Sequence, residues 1–318
     1  MRNILVTGGS GFIGTNFIHL IHSKYPEYLI YNLDELDFDI SRKNHDHLGD
    51  RYKLIHTSLL NKNNLNDLFD QVQFDYVLNF AAKSHVDNSI KSPEIFTSNN
   101  IIGTQNLLEQ CLRKTPKLFI QISTDEVYGS LETCDQPTTE ESNLKPNNPY
   151  SASKAGADCL VRSYYKTFGL PVITTRSSNN FGPYQYPEKL IPVIIKKIVN
   201  GQKVPIYGKG ENIRDWVFVD DNVAAIDFIL HNGLIGEVYN IPGHKEIKNI
   251  ELASKIISFL GKTDTEIEYV EDRPGHDFRY AMDGSKLEKL GFKISGDFET
   301  NLKKTIDWYL ENPNWLKV

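Results

Sequence analysis

Glycines at a turn between a strand and a helix are the feature that most constrains how this chain can fold. Residues 3–7 (NILVT) are apolar and rich in β-branched side chains, which predicts a buried strand. Gly8, Gly11 and Gly14 follow at the spacing G-x-x-G-x-x-G, and apolar residues then recur with a helical period. Glycine at such a turn lets backbone N–H groups approach a phosphate and lets the helix pack closely on the strand. The pattern predicts a unit that binds the pyrophosphate of a dinucleotide.

An acid at the end of the next strand completes this pattern. Asp34 closes the segment YLIYNLD and stands 20 residues beyond Gly14. A carboxylate at this distance is placed to accept hydrogen bonds from the two hydroxyls of the adenosine ribose. No arginine follows Asp34 directly to receive a 2′-phosphate. The sequence therefore predicts NAD, rather than NADP, as the cofactor.

Strand-like and helix-like segments alternate through the first half of the chain. The strands are predicted at 53–56, 76–80, 118–122 and 171–176, and the helices at 62–70, 93–113 and 150–168. Repeated β-α units predict an α/β fold, a Rossmann doubly wound parallel sheet, with ligands at the carboxyl ends of its strands. Ala81 and Ala82 follow Phe80 at one such end, where small side chains would let a cofactor lie against the backbone. Thr124 and Ser178 fall at two other ends.

Beyond residue 180, the chain changes to loops dense in Pro, Gly, Tyr and charge. Such loops on a rigid scaffold commonly carry binding residues. Residues 218–243 instead predict a helix and a strand that return to the sheet. We therefore predict an NAD-binding domain of residues 1–180 plus 218–243, and a smaller α/β substrate-binding domain of residues 181–217 plus 244–318. Four basic residues of the loops can converge on a substrate diphosphate: Lys189, Arg214, Arg273 and His276.

The composition argues against several classes of protein. The net charge is −6 and no basic stripe is present, which disfavours nucleic-acid binding. No run of about 18 apolar residues exists to span a membrane, and no leader precedes the first strand, so we expect a cytoplasmic protein. Cys111, Cys134 and Cys159 are widely spaced and fit neither a disulfide framework nor a zinc site. Such thiols are expected in a reducing compartment, and no metal site is predicted.

Two groups of reactive side chains lie between residues 121 and 154. Tyr150 and Lys154 are four apart on a predicted helix, so they share one face. A tyrosine titrates near 10, and its use as a base near pH 7 requires stabilisation of the phenolate by roughly 4 kcal/mol. A neighbouring ammonium and a positive nicotinamide can together supply this. Asp125 and Glu126 follow Thr124, and two carboxyls that share a proton can serve an elimination as acid and base.

Several motifs resemble the nucleotide-sugar enzymes of the extended short-chain dehydrogenase/reductase family. The order TGGSGFIG, STDEVYG and YSASK is typical of that family. More narrowly, NFAAKSHVDNSI, PYSASKAGADCLV, SNNFGPYQYPEKLIP, VPIYGKGENIRDW and DRPGHDFRYAMD are similar to the dTDP-glucose 4,6-dehydratase family. The likeness covers nearly the whole chain. Its most specific element is the pair Asp125 and Glu126 after Thr124, since epimerases of the superfamily usually lack an acid pair there.

The resemblance implies a lyase that removes water from a nucleotide-diphosphate sugar, with dTDP-glucose as the implied substrate. Tyr150 would take the proton of the C4 hydroxyl, to which Thr124 hydrogen-bonds, while hydride passes from C4 to NAD. Glu126 would remove the C5 proton as Asp125 protonates the departing C6 hydroxyl. Hydride would then return to C6, so NAD would be regenerated in each turnover and stay bound.

The resemblance also implies which residues contact each ligand. The cofactor-binding residues would be Gly8, Gly11, Phe12, Ile13, Gly14, Asp34, Ser58, Phe80, Ala81, Ala82, Ser84, Asn99, Tyr150, Lys154 and Ser178. The substrate-binding residues would be Ser84, Thr124, Asn179, Glu188, Lys189, Leu190, Pro205, Tyr207, Arg214, Asn249, Arg273 and His276. The family further implies a homodimer, formed through helices such as 93–113 and 150–168.

Three places depart from the family pattern. The family usually has an acid where this chain has Lys83, which we expect beside the nicotinamide, where its charge can alter hexose preference or the potential of NAD. Thr57 and Ser58 stand where the family has Gly-Asp, whose acid meets the adenine, so one adenine contact is weakened. The segment after Asp34 is also shorter than the usual loop.

Other functions stay open on sequence grounds. A UDP-hexose or UDP-N-acetylhexosamine (UDP-GlcNAc) dehydratase of the 4,6 or 5,6 type would keep the same fold, because thymine and uracil differ by one methyl group, worth only about 1–3 kcal/mol in a pocket. A nucleotide-sugar 4-epimerase is disfavoured by Asp125 and Glu126. A non-catalytic NAD-binding protein would be expected to lack Tyr150, Lys154 or an acid, and all are present.

Overall fold

The computed structural model describes residues 1–317, and all elements named here lie within them. The strands are β1 (Arg2–Thr7), β2 (Tyr28–Asp34), β3 (Tyr52–His56), β4 (Tyr76–Asn79), β5 (Leu118–Thr124), β6 (Val172–Ser177), β7 (Asn179–Phe181), β8 (Val204–Tyr207), β9 (Ile213–Phe218), β10 (Val238–Ile241), β11 (Glu246–Lys248) and β12 (Ile267–Val270). The helices are α1 (Phe12–Lys24), α2 (Lys62–Gln71), α3 (Val86–Lys91), α4 (Pro93–Phe96), α5 (Gly103–Arg113), α6 (Pro149–Phe168), α7 (Leu190–Val199), α8 (Val219–Asn232), α9 (Asn249–Phe259), α10 (Ser285–Leu290) and α11 (Phe298–Glu311). Across residues 1–317, no helix has both the length and the apolar character needed to cross a lipid bilayer.

Seven strands form one parallel sheet in the order β3-β2-β1-β4-β5-β6-β10. From β1 the strands follow in chain order to β3 at one edge of the sheet, and from β4 they follow in chain order to β10 at the other edge. The direction of the strand order therefore reverses between β1 and β4. This confirms the predicted doubly wound α/β sheet. A ligand of such a sheet binds outside the carboxyl ends of the strands, next to the reversal. Thr7 and Asn79 end the two strands at this point, and Thr7 Oγ1 donates to Asn79 Oδ1 over 2.6 Å.

Both faces of this sheet are covered by buried apolar side chains. Neighbouring residues of a strand point to opposite faces. Ile4 and Val6 of β1 accordingly pack with α1 and α8. Leu5 packs with α2, α5 and α6 on the other face. Coverage on both sides explains why these strands are apolar throughout instead of alternating with polar residues.

A second core lies under the smaller sheets. Strands β7, β9 and β11 form one sheet, and β8 pairs with β12. Ile191 of α7, Trp216 of β9, Leu252 of α9 and Leu302 of α11 are buried together. Helix α8 and strand β10, which come from residues 218–243, instead cover and extend the large sheet, where β10 pairs with β6.

The helix predicted over 93–113 is interrupted. A π-helical stretch, Thr97–Ile102, separates α4 from α5. Asn99 and Asn100 are buried in this wider turn, and Asn99 Nδ2 donates to Glu35 Oε1 over 3.2 Å. Single π-helical turns often occur at functional sites. A π-helical turn holds more residues than an α-helical turn, and the spacing of apolar residues does not reveal this difference. The sequence therefore predicts one continuous helix.

Candidate active site

A cavity of about 310 Å³ runs along the carboxyl ends of the parallel strands. Its volume lies within the usual range for small-molecule sites. Most of the predicted cofactor-binding residues line it, namely Gly8, Gly11, Phe12, Ile13, Gly14, Asp34, Phe80, Ala81, Ala82, Ser84, Asn99, Tyr150 and Lys154. Of the predicted substrate-binding residues, Ser84, Glu188 and Lys189 line the same cavity.

Close packing at the turn after β1 explains why glycine is needed there. Gly8 has a positive φ of 68°, and its N–H donates to Leu33 O over 2.8 Å. A Cβ on Gly14 would lie 2.4 Å from Gly8 O, so a larger residue would push α1 away from the turn. Helix α1 thereby starts at the cavity, with Phe12 and Ile13 in the wall. A helix N-terminus in this position suits the pyrophosphate of a dinucleotide.

Asp34 ends β2 at the cavity wall. Its Oδ2 accepts from the N–H of Ser10 and its Oδ1 from the N–H of Leu36, each over 2.8 Å. These bonds orient the carboxylate and leave lone pairs for a ligand. Burial raises the pKa of Asp34, and the two backbone donors oppose that rise. The glycine turn, the helix terminus and the oriented carboxylate together fit NAD, with the adenosine ribose at Asp34.

Residues far along the chain close the cavity over the glycine turn. Tyr186 lines the cavity, and its hydroxyl donates to Ser10 O over 3.4 Å. Its ring stacks on Phe38 with the ring centroids 4.0 Å apart, and Gln185 lies beside it in the wall. Sequence reasoning missed these side chains because none of them follows a strand of the parallel sheet. The aromatic run FGPYQY at 181–186 is the one signal that could have indicated them.

Asp125 and Glu126 begin a short 3₁₀ turn after β5. Thr124 Oγ1 donates to Asp125 Oδ1 over 3.1 Å and accepts from the N–H of Glu126 over 3.3 Å. Asp125 is 3% exposed, whereas Glu126 is partly exposed. Asp125 Oδ2 and Glu126 Oε2 are buried and have no hydrogen-bond partner within residues 1–317. Each carboxyl therefore has an oxygen that no donor within residues 1–317 occupies.

The two carboxyls have different electrostatic surroundings. Burial and the charge of Glu126 raise the pKa of Asp125 well above its usual value. Burial also raises the pKa of Glu126. The cations of Lys189, Arg273 and Arg214 oppose that second rise. The cations thus favour ionisation of Glu126 more than of Asp125, an arrangement that suits an acid at Asp125 beside a base at Glu126.

Tyr150 lies in the first turn of α6. The side chain of Asn148 caps this helix by accepting from the N–H of Ser151 over 2.9 Å, which fixes the turn that carries Tyr150. Lys154 lies one turn further along the helix, and its Nζ donates to Ile122 O over 2.7 Å. The helix cap and this bond to β5 hold both side chains at the carboxyl end of the sheet.

The pKa values of Tyr150 and Lys154 differ from the sequence-based expectation. Burial raises the pKa of Tyr150, and the charges of Glu126 and Asp125 raise it further. Burial lowers the pKa of Lys154 to about 8. We expected an ammonium and a nicotinamide to lower the pKa of the tyrosine together, but burial and the two carboxyls outweigh the opposing hydrogen bond with Thr124 and raise it. To stabilise a phenolate, the charges of Lys154 and of a bound nicotinamide would have to overcome this rise in the pKa.

Basic side chains near the second core lie next to the acid pair. Lys189 Nζ donates to Ser84 O over 2.7 Å, which joins the start of α7 to the loop after β4. Asp87 of α3 accepts from the hydroxyl of Tyr207 over 3.0 Å and from Arg273 Nη1 over 3.3 Å. Through these contacts the structure brings together four of the predicted substrate-binding residues.

Other predicted substrate-binding residues are engaged by the protein. The guanidinium of Arg214 is buried and donates to Asp277 O over 2.8 Å and to Phe278 O over 3.2 Å. His276 Nδ1 lies 2.6 Å from Asp272 Oδ1. Both side chains are thus held in place before any ligand binds.

Four further predicted substrate residues lie outside the cavity wall. Leu190 begins α7, and Pro205 lies in β8. Asn179 and Asn249 each have a buried Oδ1 without a partner within residues 1–317. Those two oxygens have no protein donor, and the substrate-binding roles of all four residues stay predictions.

Ser58 and Ser178, predicted to contact the cofactor, do not line the cavity. Ser58 Oγ donates to Glu35 Oε1 over 2.5 Å, and Ser178 Oγ donates to Asp215 Oδ2 over 2.6 Å. Thr57 lines the cavity in the neighbourhood of Ser58. Contact of these two serines with the cofactor stays a prediction.

Lys83 extends in another direction than we expected. Its Nζ is 2.5 Å from Asp37 Oδ2 and 3.3 Å from Glu35 Oε2. Both acids follow Asp34 in the loop after β2, so the ammonium lies at the adenosine end of the cavity. The prediction that its charge lies beside the nicotinamide is therefore wrong. The physical reason is that two carboxylates attract this long side chain toward β2.

Known proteins resemble the chain over nearly its whole length. The model of the family described as GDP-mannose 4,6 dehydratase matches residues 5–305. The low-salt glycan biosynthesis protein Agl12 of Haloferax volcanii is 46% identical over 312 residues, which cover 97% of this chain and 98% of that protein. The dTDP-glucose 4,6-dehydratase of Salmonella typhimurium is 41% identical, with coverage of 98% of this chain and 94% of that protein.

A solved structure agrees with the fold described above. The dTDP-glucose 4,6-dehydratase DesIV of Streptomyces venezuelae, crystallised with NAD, superposes with a TM-score of 0.94 at 40% identity. The match covers 99% of this chain and 98% of that chain. Because the family model spans most of the sequence and relatives above 40% identity align almost end to end, this chain belongs to the GDP-mannose 4,6 dehydratase family.

Proposed function

We propose that this chain is an NAD-dependent nucleotide-sugar 4,6-dehydratase that converts dTDP-glucose to dTDP-4-keto-6-deoxyglucose and water. The observation that carries the proposal is the adjacent pair of carboxyls, Asp125 and Glu126, each with a buried oxygen that no donor within residues 1–317 occupies. Loss of water needs both groups, whereas oxidation and reduction at a single carbon need neither. The dTDP-glucose 4,6-dehydratases among the relatives and solved structures support this substrate.

Removal of a proton at the C4 hydroxyl begins the reaction. Tyr150 takes this proton, and the hydroxyl of Thr124 orients the sugar. Gly8, Gly14 and Asp34 would hold NAD in the cavity, and the bound cofactor would supply the redox chemistry for oxidation at C4 and reduction at C6. Lys154, fixed by the carbonyl of Ile122, carries a positive charge below about pH 8 that favours the phenolate.

Loss of water follows from the acid pair. The C4 ketone acidifies the C5 proton, and Glu126 removes it. Asp125 gives its proton to the C6 hydroxyl, so the C6–O bond breaks, water leaves and a double bond forms between C5 and C6. After C6 is reduced, Glu126 returns a proton to C5. Over the cycle, the proton that Tyr150 gained replaces the one that Asp125 gave up.

The basic side chains beside the acid pair suit the diphosphate of the substrate. Lys189 and Arg273 are the cations that most oppose the rise in the pKa of Glu126, so their charges act close to that carboxyl. Cations bind phosphate oxygens through charge-assisted hydrogen bonds. We propose that they hold the diphosphate with Tyr207, while Asn179 and Asn249 accept from donors elsewhere on the nucleotide sugar.

Incubation of the purified protein with dTDP-glucose, without added NAD, tests the proposed function. Mass spectrometry should show the loss of one water from the sugar nucleotide. UDP-glucose and UDP-GlcNAc, assayed in parallel, test the alternatives that the sequence leaves open. Water loss from a UDP-sugar alone would move the assignment to that nucleotide. Formation of a C4 epimer without water loss from any substrate would refute the dehydratase assignment.

We also propose that the protein forms a homodimer through the helices near 93–113 and 150–168, as the family resemblance implies. Ile95 and Ile102 support this proposal, because they are 49% and 42% exposed on that surface. Apolar side chains grouped on a surface are typical of interfaces. Light scattering after gel filtration should give twice the chain mass of 36.3 kDa. A single-chain mass at micromolar concentration would contradict the dimer.

The two cores support a division into two domains. We propose residues 1–180 plus 218–243 as the NAD-binding domain and residues 181–217 plus 244–318 as the nucleotide-sugar-binding domain. Leu287 of α10 is an exception within the second set, since it packs on the first core. Limited proteolysis tests this division, and the first cuts should fall in loops of residues 181–217 and 244–318. Early cuts inside α6 or β5 would contradict it.

A cytoplasmic location is part of the same proposal. The cysteines Cys111, Cys134 and Cys159 are free thiols, as expected in a reducing compartment. Cell fractionation with a tagged chain tests the location, and recovery in an oxidising compartment would contradict it.

A further inference from the structure

The loop after β2 carries a charged cluster that the reaction above does not use. Glu35 Oε1 accepts from Ser58 Oγ over 2.5 Å and from Asn99 Nδ2 over 3.2 Å. Its Oε2 lies 3.3 Å from Lys83 Nζ, which Asp37 also binds. Apart from Ser58, all of these residues line the cavity.

The cluster lies at the adenosine end of the cavity. Asp34, directly before Glu35, is placed for the ribose hydroxyls. Thr57 and Leu59, which follow β3, form the wall next to it. With its ribose at Asp34, the adenine of NAD would lie near the ends of β2 and β3, within reach of Glu35.

We propose that Glu35 accepts a hydrogen bond from the adenine amino group, in place of the acid that the family resemblance implies at the position of Ser58. The serine hydroxyl is bound to Glu35, so the Glu35 carboxylate occupies the place that an acid on residue 58 would reach. A carboxylate only accepts hydrogen bonds, and the amino group is the donor on the adenine edge. Asp34 is placed to accept from the ribose hydroxyls, so Glu35 is not needed for them.

Lys83 positions this carboxylate. Burial tends to raise the pKa of Glu35, but the hydrogen bond from Ser58 and the charge of Lys83 outweigh burial and lower it, so the group stays ionised. Asp37 binds the ammonium from another side, which leaves negative charge in excess beside Asp34. Such an excess also disfavours the 2′-phosphate of NADP.

Glu35→Gln tests this role, which rests on the proposed NAD-dependent function. NAD bound after purification is measured in the denatured extract, and NAD affinity is measured by calorimetry on stripped protein. We expect roughly 10- to 100-fold weaker NAD binding, the contribution of one hydrogen bond to a charged group. Asp39→Asn is the matched control, because Asp39 lies in the same loop, pairs with Arg42 and does not line the cavity.

Two comparisons separate a lost adenine contact from a disturbed loop. Nicotinamide hypoxanthine dinucleotide has a carbonyl in place of the amino group, so wild type should prefer NAD over it, and Glu35→Gln should lose that preference. The double variant Glu35→Gln with Ser58→Asp returns an acid to the position that the family resemblance implies and should recover most of the NAD affinity. Circular dichroism verifies folding. Glu35→Asp, which withdraws the carboxylate by one methylene, replaces Glu35→Gln if that variant unfolds.

Two results would overturn the proposal: Glu35→Gln binds NAD as tightly as wild type, or the double variant stays as weak as Glu35→Gln. A wild-type protein that binds no NAD at all would instead refute the proposed function. The two failures are therefore distinguishable.

Discussion

Replacement of Asp125 by asparagine tests whether the two carboxyls divide the elimination between them. The change keeps the shape of the side chain and removes the proton that the C6 hydroxyl needs to leave as water. A positioned general acid contributes about 10²- to 10⁴-fold to a rate, so turnover should fall by that factor, or by about 3–5 kcal/mol in the barrier. In the proposed roles Asp125 is the acid and Glu126 the base, so the replacement leaves the carboxylate of the base in place. Exchange of the C5 proton should therefore survive.

The assay follows two signals in deuterated water. Mass spectrometry measures water loss, and proton NMR measures the entry of solvent deuterium at C5. Asp125→Asn should lose water slowly while still exchanging C5, whereas Glu126→Gln should do neither. Wild-type water loss by Asp125→Asn would refute the assignment of the acid. Exchange that disappears in Asp125→Asn and persists in Glu126→Gln would show that the two roles are reversed.

Three other perturbations have expected outcomes of their own. Arg176→Met leaves Asp158, 3.0 Å away in a buried pair, without its partner, and should lower the free energy of unfolding in urea by about 3–5 kcal/mol. Lys303→Met breaks an exposed pair with Asp307 and should cost about 0–1 kcal/mol, so equal effects of the two changes would contradict the argument. Turnover should fall as pH rises through about 8, where Lys154 loses its charge. Between pH 8 and the ordinary value of 10.5, the unfolded chain binds more protons at Lys154, so the contribution of this group to stability should rise over the same range. A flat pH–rate profile from 7 to 9 would count against the role of the ammonium. Gly14→Ala should yield protein with little bound NAD, because the new Cβ would lie 2.4 Å from Gly8 O, and normal NAD content would show that the turn adjusts without loss.

Short-range patterns were sufficient to predict the framework of the site. Gly8 and Gly14 lie in one turn, and Asp34 ends the next strand, so their relation depends only on one β-α-β unit. Tyr150 and Lys154 are one helical turn apart. Parallel strands bring all of these residues to one edge of the sheet, which is why their convergence could be predicted without coordinates.

The contacts that the sequence did not predict join segments that are far apart. Lys83 meets Glu35 across 48 residues, and Tyr186 reaches Ser10 across 176. Such pairs depend on how loops fold over the strand ends, which residue spacing does not encode. The pKa of Tyr150 depends on burial and on two carboxyls of another element, so its direction required the three-dimensional structure.

The central claim is that hydride leaves C4 and returns to C6 of the same sugar after water has been lost. Deuterium at C4 of dTDP-glucose follows this hydride, and NMR of the product locates it. We expect deuterium at C6 of a product that has lost one water. Deuterium that returns to C4, or that is lost to solvent, would refute this transfer.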